Sequence, residues 1–327
     1  MLKTQPLQKN SVKEIIKSGV SLAPMAGITD YVLRNLVRRY SKTALITTEM
    51  ISSEFLAQNR NQNEILKLDD SHHPIAYQIV GHKPQMMRDA ARRLSQYSDM
   101  IDINMGCPVR KVVCGHDGSA LMKEPELAYD IVQAVIDGTD KPVSVKFRLG
   151  YTSDNMNYVE FGQKMQSAGA QFITLHARTR AQMYSGHADW AKIKALKDNV
   201  DVPVFANGDI KTVDDAIECL DKSGADGVAI GRGAMEDPTL LYRIEHYLQT
   251  GEKLPAPSLK EKFEMMRYHI AQEIELRGER VGIKFFRKFY PYYISGIKNA
   301  SKYRGVLVTE TDYKKLLEYF NYIENEI

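Results

Sequence analysis

The chain has 327 residues, 43% of them hydrophobic and 26% charged, which is enough apolar content for a sizeable core and excludes wholesale disorder. With 44 Lys and Arg against 41 Asp and Glu, the net charge of +3 excludes a histone-like polycation and leaves room only for a local basic patch. Three cysteines, Cys107, Cys114 and Cys219, give no even disulfide framework and no CxxC pair, so a reducing, cytoplasmic setting without structural zinc or other metal is expected. The opening MLKTQPLQKNSVKEIIKSG lacks an apolar signal segment, and no run approaches the roughly 18 apolar residues that span a bilayer. A soluble protein, taken as monomeric and free of membrane, is the expectation.

Eight short apolar runs follow in order: VSLAPM from Val20, ALITTEM from Ala44, PIAYQIVG from Pro74, MIDINMG from Met100, PVSVKFRLG from Pro142, FITLHAR from Phe172, PVFANGD from Pro203 and GVAIGRG from Gly227. Each is rich in Val and Ile and bounded by Gly, Pro or Asn, as strands buried on both faces are. Amphipathic segments lie between them, among them TDYVLRNLVRRY, PQMMRDAARRLSQ, PELAYDIVQAVIDG and TVDDAIECLDKSGA. Thr29 and Thr212 are placed to cap helices, Pro125 to open one and Gly138 to close one. Eight such units predict a (β/α)8 TIM barrel, and no GxGxxG motif supports an open doubly wound sheet instead. Strand starts are 24 to 31 residues apart except for Met100 and Pro142, which are 42 apart. The surplus, GCPVRKVVCGHDGSALMKE, reads as a working loop at the catalytic rim.

LPAPS, from Leu254 to Ser258, reads as a linker. Beyond it KEKFEMMRYHIAQEIELRG and TETDYKKLLEYFNYI are helical in pattern, and no strand candidate follows Gly231. We therefore expect a catalytic barrel over residues 1–250 and a smaller all-helical domain over 258–327.

Polar residues at the C-terminal ends of barrel strands carry function. Here nearly every run ends in them: Met25 after Pro24, Glu49, Gln78, Asn104 with Cys107, Lys146 with Arg148, His176 with Arg178, Asn207 to Asp209, and Gly231 with Arg232. Gly208, Gly231 and Gly233 let backbone amides approach a phosphate in the last two loops, and Arg232 adds charge, so a flavin mononucleotide or a sugar phosphate is implied. Lys146 suits either a charge held against the pyrimidine edge of a reduced flavin or a Schiff-base lysine. Cys107 begins the long loop, and a thiol of ordinary pKa near 8.5 is mostly protonated at neutral pH, able to donate a proton or to act as nucleophile, the alternative being a buried small hydrophobe. Cys114 and Cys219 read as buried small hydrophobes, Cys219 on the apolar side of a helix pattern, and His72, His73 and His116 show no recognisable spacing.

From Arg277 to Arg304 eight basic residues face one acid, Glu279, with seven aromatics interleaved. Lys284, Arg287 and Lys288 fall at i, i+3, i+4 and are expected to share one helix face for RNA phosphates, with Phe285 and Phe289 on another and Pro291 ending the helix.

Taken together, APMAGITD (Ala23 to Asp30), YQIVG around Gln78, DINMGCP (Asp102 to Pro108), VKFRLG around Lys146, HARTRAQMYSGHADW (His176 to Trp190), ANGDI (Ala206 to Ile210) and AIGRGA (Ala229 to Ala234) resemble the tRNA-dihydrouridine synthases, and within them the bacterial B-type subgroup. The resemblance implies FMN, reduced by NADPH, saturating the C5–C6 bond of selected tRNA uridines. It places Pro24, Met25, Ala26, Gln78, Lys146, His176, Asn207, Gly208, Asp209, Gly231 and Arg232 on the flavin. Cys107 matches the cysteine that protonates C5, and Asn104, Arg148 and Arg178 match positions on the uridine or its phosphate. Two stretches depart from the family pattern: Cys114 and His116 have no counterpart, and RKFYPYY stands where relatives carry a basic–His stretch and a tryptophan. The alternatives are a barrel reductase using FMN on a small molecule, a Schiff-base aldolase, an RNA-binding barrel without activity, or a synthase acting on ribosomal RNA.

Overall fold

A computed structural model describes residues 11–58 and 72–326, so the stretch before residue 11 lies outside it. Eight strands run parallel and close on themselves: β1 (Val20–Leu22), β2 (Leu45–Thr47), β3 (Ile75–Val80), β4 (Met100–Met105), β5 (Val143–Arg148), β6 (Phe172–His176), β7 (Val204–Asn207) and β8 (Gly227–Ile230). Each pairs with the next, and β8 returns to β1 with Val20 opposite Val228, which makes the expected barrel. A two-residue strand, Ile51–Ser52, adds to the end of β3 outside the eight.

Period-two alternation sorts the strands into two faces. On β4, Ile101, Ile103 and Met105 pack outward with the helix-facing core, while Met100, Asp102 and Asn104 point into the barrel. The interior is layered. Leu45, Ala76, Met100, Phe172 and Phe205 form an apolar floor, closed from below by Ile15 and Ile16 at the end of helix Val12–Ile15. Phe172 and Phe205 meet edge to face with centroids 4.9 Å apart. Above them comes a layer of Ser21, Thr47, Asp102, Ser144 and Thr174, and above that the functional rim.

The helix boundaries correct two expectations. Asp30, not Thr29, caps helix Tyr31–Tyr40, its carboxylate accepting the Leu33 N–H at 3.0 Å. Thr29 instead holds the preceding loop, its hydroxyl accepting the Met25 N–H at 3.0 Å. Gly138 ends helix Pro125–Gly138 without a left-handed turn, and a β-carbon there would run into the Arg88 carbonyl of the neighbouring helix. It is glycine for close helix packing. Thr212 and Pro125 do cap and open their helices.

After β8 every described element is helical: Gly233–Glu236, Leu240–Thr250, then Leu259–Arg277, Glu279–Phe286, Tyr290–Tyr293, Ala300–Leu307 and Tyr313–Glu326. Ser258 and Glu261 form a capping box that restarts helix after the linker. Phe263, Met266, Phe286, Phe289, Tyr290, Leu316 and Phe320 make the apolar centre of this terminal region, continuous with the outer barrel core.

Ile15→Ala empties the plug beneath the floor and should cost about 2–5 kcal/mol of stability. Urea denaturation checks this, with an unchanged m-value expected.

Candidate active site

A cavity of about 500 Å³ opens at the C-terminal ends of the strands. Pro24, Met25, Ala26, Gln78, Lys146, His176, Asn207, Gly208, Asp209, Gly231 and Arg232 all line it, with Asn104, Cys107 and Arg148. Arg178 is the exception among the barrel residues. It is 1% exposed and turned into the wall, where it donates to the carbonyls of Ser185 (3.2 Å) and Gly186 (2.7 Å) and pairs with Asp209 at 2.5 Å. It shapes the rim loop and does not reach the cavity, which corrects its expected place on the uridine or its phosphate.

The far wall is electropositive. Burial and the neighbouring Arg148 lower Lys146 to about 8, and burial lowers Arg148 to about 10. The Lys146 ammonium donates to Asn207 Oδ1 at 2.9 Å, and Asn207 in turn donates to the Ala229 carbonyl at 2.8 Å. Arg148 is spent on backbone: Nε donates to Gly106 (2.8 Å) and Nη1 to Thr179 (3.0 Å) and Met183 (2.9 Å). It thereby ties the cysteine-bearing turn to the rim loop after β6. Burial, reinforced by Arg148, Lys146, Arg178 and Arg232, drives His176 well below its usual pKa, so its imidazole is neutral. Its Nε2 is buried with no hydrogen-bond partner among the described residues. An orphaned polar atom costs about 1–3 kcal/mol until something pairs with it.

Asp209 gathers this charge. Burial raises its carboxyl, but hydrogen bonds from Arg178 and the Ala188 N–H, with the Arg232 charge, leave it below the usual value. Arg232 reaches Asp209 at 3.0 Å and lies over the Tyr184 ring at 4.9 Å. Gly208 (φ +126) and Asp209 (φ +56) form the sharp turn that presents this edge. At Gly231 a β-carbon would touch only Met25 Sδ at 3.5 Å, so the backbone there borders open cavity.

Cys107 stands opposite, at the base of the long loop. The loop folds back as helix Arg110–Cys114 and a 3-10 turn, Gly118–Lys123, with the Ser119 N–H and hydroxyl both donating to the Cys107 carbonyl at 3.1 and 2.9 Å. Gly118 (φ +60) lets the returning chain pass, since a β-carbon would sit 3.0 Å from Cys107 Cβ. Burial pushes the Cys107 thiol up, against smaller opposing effects of the Val109 N–H, Arg148 and Lys146. The thiol form therefore dominates at neutral pH. Cys219 is buried as expected, whereas Cys114 is exposed at the end of the short helix and is not the buried hydrophobe its sequence suggested; His82 accompanies Asp117 at 2.8 Å beside His116.

The basic tail divides. Lys284 is exposed, with Arg280, Lys298, Lys302 and Arg304. Arg287 is half-buried, with Nη2 3.5 Å from the Glu310 carbonyl. Lys288 does not share their solvent face: its ammonium lies over Phe285 at 3.0 Å and donates to the Gly27 carbonyl in the Met25–Asp30 loop. Gly27 N–H donates to Glu49, and Arg277 joins Asp30 at 2.6 Å and Glu273 at 2.7 Å. Lys288 and Arg277 thus brace the cavity wall from the helical side. Phe286, Phe289, Tyr290 and Tyr293 are buried and belong to the core, not to a base-stacking surface. Pro291 sits in the first turn of a new short helix, the preceding one having ended at Phe286.

Sequence reasoning missed Met50, Tyr184 and Lys211 on the lining, and had Tyr292 only as one aromatic among several in the tail. Among the described residues no three His, Cys, Asp or Glu side chains are grouped to hold a metal, and no helix is long and apolar enough to cross a membrane.

Because burial raises the thiol, alkylation of Cys107 by iodoacetamide should be slow at pH 7 and reach half its maximal rate above the roughly 8.5 of a free cysteine. Peptide mass spectrometry of a Cys114→Ser background across pH 6–10.5 checks the profile.

The sequence model described as dihydrouridine synthase (Dus) matches residues 21–325. The chain is 41% identical over 304 residues to a probable tRNA-dihydrouridine synthase 1 of Synechocystis sp., covering 93% of this chain and 85% of that one. To tRNA-dihydrouridine synthase B of Pseudomonas aeruginosa it is 38% identical over 286 residues, covering 87% and 86%. Among solved structures, a variant of NCR from Zymomonas mobilis superposes with a TM-score of 0.51 at 16% identity, covering 72% of this chain and 87% of that one, a likeness of fold alone. With the family's match spanning nearly the whole chain and the family's motifs brought together around one cavity, this chain belongs to the dihydrouridine synthases, which are flavin-dependent oxidoreductases.

Proposed function

We propose that the protein is a cytoplasmic, monomeric tRNA-dihydrouridine synthase that holds FMN in the cavity, takes its reducing power from NADPH and saturates the C5–C6 bond of specific tRNA uridines. One observation carries the reading: a thiol kept protonated by burial lines the same cavity as an electropositive wall with an orphaned His176 Nε2. The names of the relatives support tRNA as the substrate.

The residues fit the flavin. A phosphate would meet Arg232 and the open backbone at Gly231, on the electropositive side of the cavity. His176 and Lys146 would face its acceptor atoms, with Met25 against the ring. When bound, the reduced flavin supplies the hydride that adds to uracil C6.

The chain's own part is the proton. Hydride at C6 leaves negative charge over C5 and O4, and the Cys107 Sγ–H bond breaks to form the C5–H bond. The thiolate so formed is reprotonated from solvent. A positioned acid of this kind contributes about 10²–10⁴-fold. The uridine must leave its stack to enter, and the cavity mouth beside Tyr184 and Tyr292 offers rings for an extruded base. Exposed Arg280, Lys284, Lys298, Lys302 and Arg304 would hold RNA phosphates outside it.

Purified protein with FMN, NADPH and unmodified tRNA should convert uridine to a nucleoside two mass units heavier, read by mass spectrometry. Cys107→Ala should keep flavin and tRNA binding and lose about 10²–10⁴ of turnover. A yellow, NADPH-oxidising protein that leaves tRNA unchanged would point to ribosomal RNA or a small molecule instead. Lys288→Met should weaken flavin binding severalfold, read by flavin fluorescence. Lys284→Ala should instead weaken tRNA binding, leave flavin untouched and reduce the salt dependence by about one phosphate contact.

A further inference from the structure

Beneath the cavity lies a carboxylate that the proton transfer above does not use. Asp102 is one inward step below Asn104 on β4, and it is 5% exposed. Its Oδ1 accepts the Ser144 hydroxyl at 2.6 Å, and its Oδ2 accepts Gln78 Nε2 at 2.6 Å. Gln78 Oε1 then accepts Asn104 Nδ2 at 2.8 Å. Asn104 Oδ1 accepts the backbone N–H groups of Gly106 at 3.1 Å and Cys107 at 2.9 Å. Four side chains on three adjacent strands make one continuous chain that ends on the backbone of the cysteine.

The order has a direction. A side-chain amide can present either its oxygen or its nitrogen, whereas an ionised carboxylate can only accept. With an acceptor at its foot, Gln78 must point its nitrogen down and its oxygen at Asn104. Asn104 must then offer its nitrogen to Gln78 and its oxygen to the two backbone N–H groups. Turn Gln78 over, and Asn104 turns with it and sets an N–H against two N–H donors. Burial raises Asp102 to about 6, against the Ser144 and Gln78 donors and the nearby Lys146 charge, so it remains largely ionised at pH 7. Burying a carboxylate opposes folding unless its acceptor sites are filled, and here Ser144 and Gln78 fill them. The carboxylate is explained by what it orients.

We propose that Asp102 is a positioning residue for the reduction: it fixes the polarity of the Gln78–Asn104 amide chain and so holds the Cys107 backbone, and with it the thiol, at the cavity. This deepens the reading of Cys107 as the acid. Its test follows the thiol and not turnover, so the two stand or fall separately.

The test is iodoacetamide labelling of the full-length Cys114→Ser protein at fixed pH, with buried Cys219 as the internal reporter of unfolding. Asp102→Asn supplies an amide where an obligate acceptor stood, so the chain can run backwards. Losing the hold on the cysteine turn should speed Cys107 labelling by about tenfold, the equivalent of one to two hydrogen bonds. Adding Gln78→Glu to Asp102→Asn exchanges carboxylate and amide between the two positions and again faces Asn104 with an acceptor, so labelling should return to within about twofold of the parent. Ser144→Ala keeps the acceptor end and should leave labelling unchanged. Wild-type labelling in Asp102→Asn, or no return in the double variant, overturns the proposal. Should Cys219 also label in Asp102→Asn, the fold is lost there and the double variant alone decides, because the carboxylate it carries at position 78 still accepts from Asn104 with an amide, not a second carboxylate, beneath it. Protected Cys107 in that variant supports the proposal, and exposed Cys107 with silent Cys219 refutes it.

Discussion

Positive charge gathered behind one cavity wall is the constraint around which this site is arranged. Lys146, Arg148, Arg178 and Arg232 all act on His176, and Asp209 pairs with the two of them at the rim, Arg178 and Arg232. Like charges in a low-dielectric pocket must be neutralised, spread over dipoles or paired. Each solution is visible here. His176 gives up its proton, Arg148 is distributed over three carbonyls, and Asp209 takes both Arg178 and Arg232. What these measures leave over is a field that favours an anionic ligand on one side. On the other, burial keeps Cys107 protonated although the same cations act to lower it. One lining thus combines an electropositive wall with a thiol kept in its protonated form.

Much of this was legible in the sequence because a parallel barrel obeys a strict period of two. Once the apolar runs were recognised as strands, the inward residues at their ends followed, and Gln78, Asn104, Lys146, His176 and Asn207 all line the cavity. The period fails where the strand does. Arg178 lies two residues beyond the end of β6, where pleating no longer dictates direction, and it turns into the wall. Met50, Tyr184 and Tyr292 sit in or beside loops with no periodicity to mark them. The helical tail misled in a related way: i, i+3, i+4 spacing gives a shared helix face but not what packs across it. Lys288 meets a carbonyl 261 residues away in sequence, and no local pattern reports such a partner.

That long-range contact changes what the helical region is for. Phe285 lies between two cations, Arg277 at 4.0 Å and Lys288 at 3.0 Å, and both cations reach into the loop that carries Met25. Asp30 caps the first barrel helix with one oxygen and receives Arg277 with the other. Glu49 accepts from the same loop at Gly27, so the segment is held from the barrel and the helical side together. The exposed lysines and arginines of the tail therefore belong to a body already fastened to the cavity wall. On the proposed reading, an RNA held by that surface would be referred to the cavity through buried contacts, which is what placing one uridine ring against one thiol would demand: a misplacement of about 1 Å is enough to cost 10²-fold in rate.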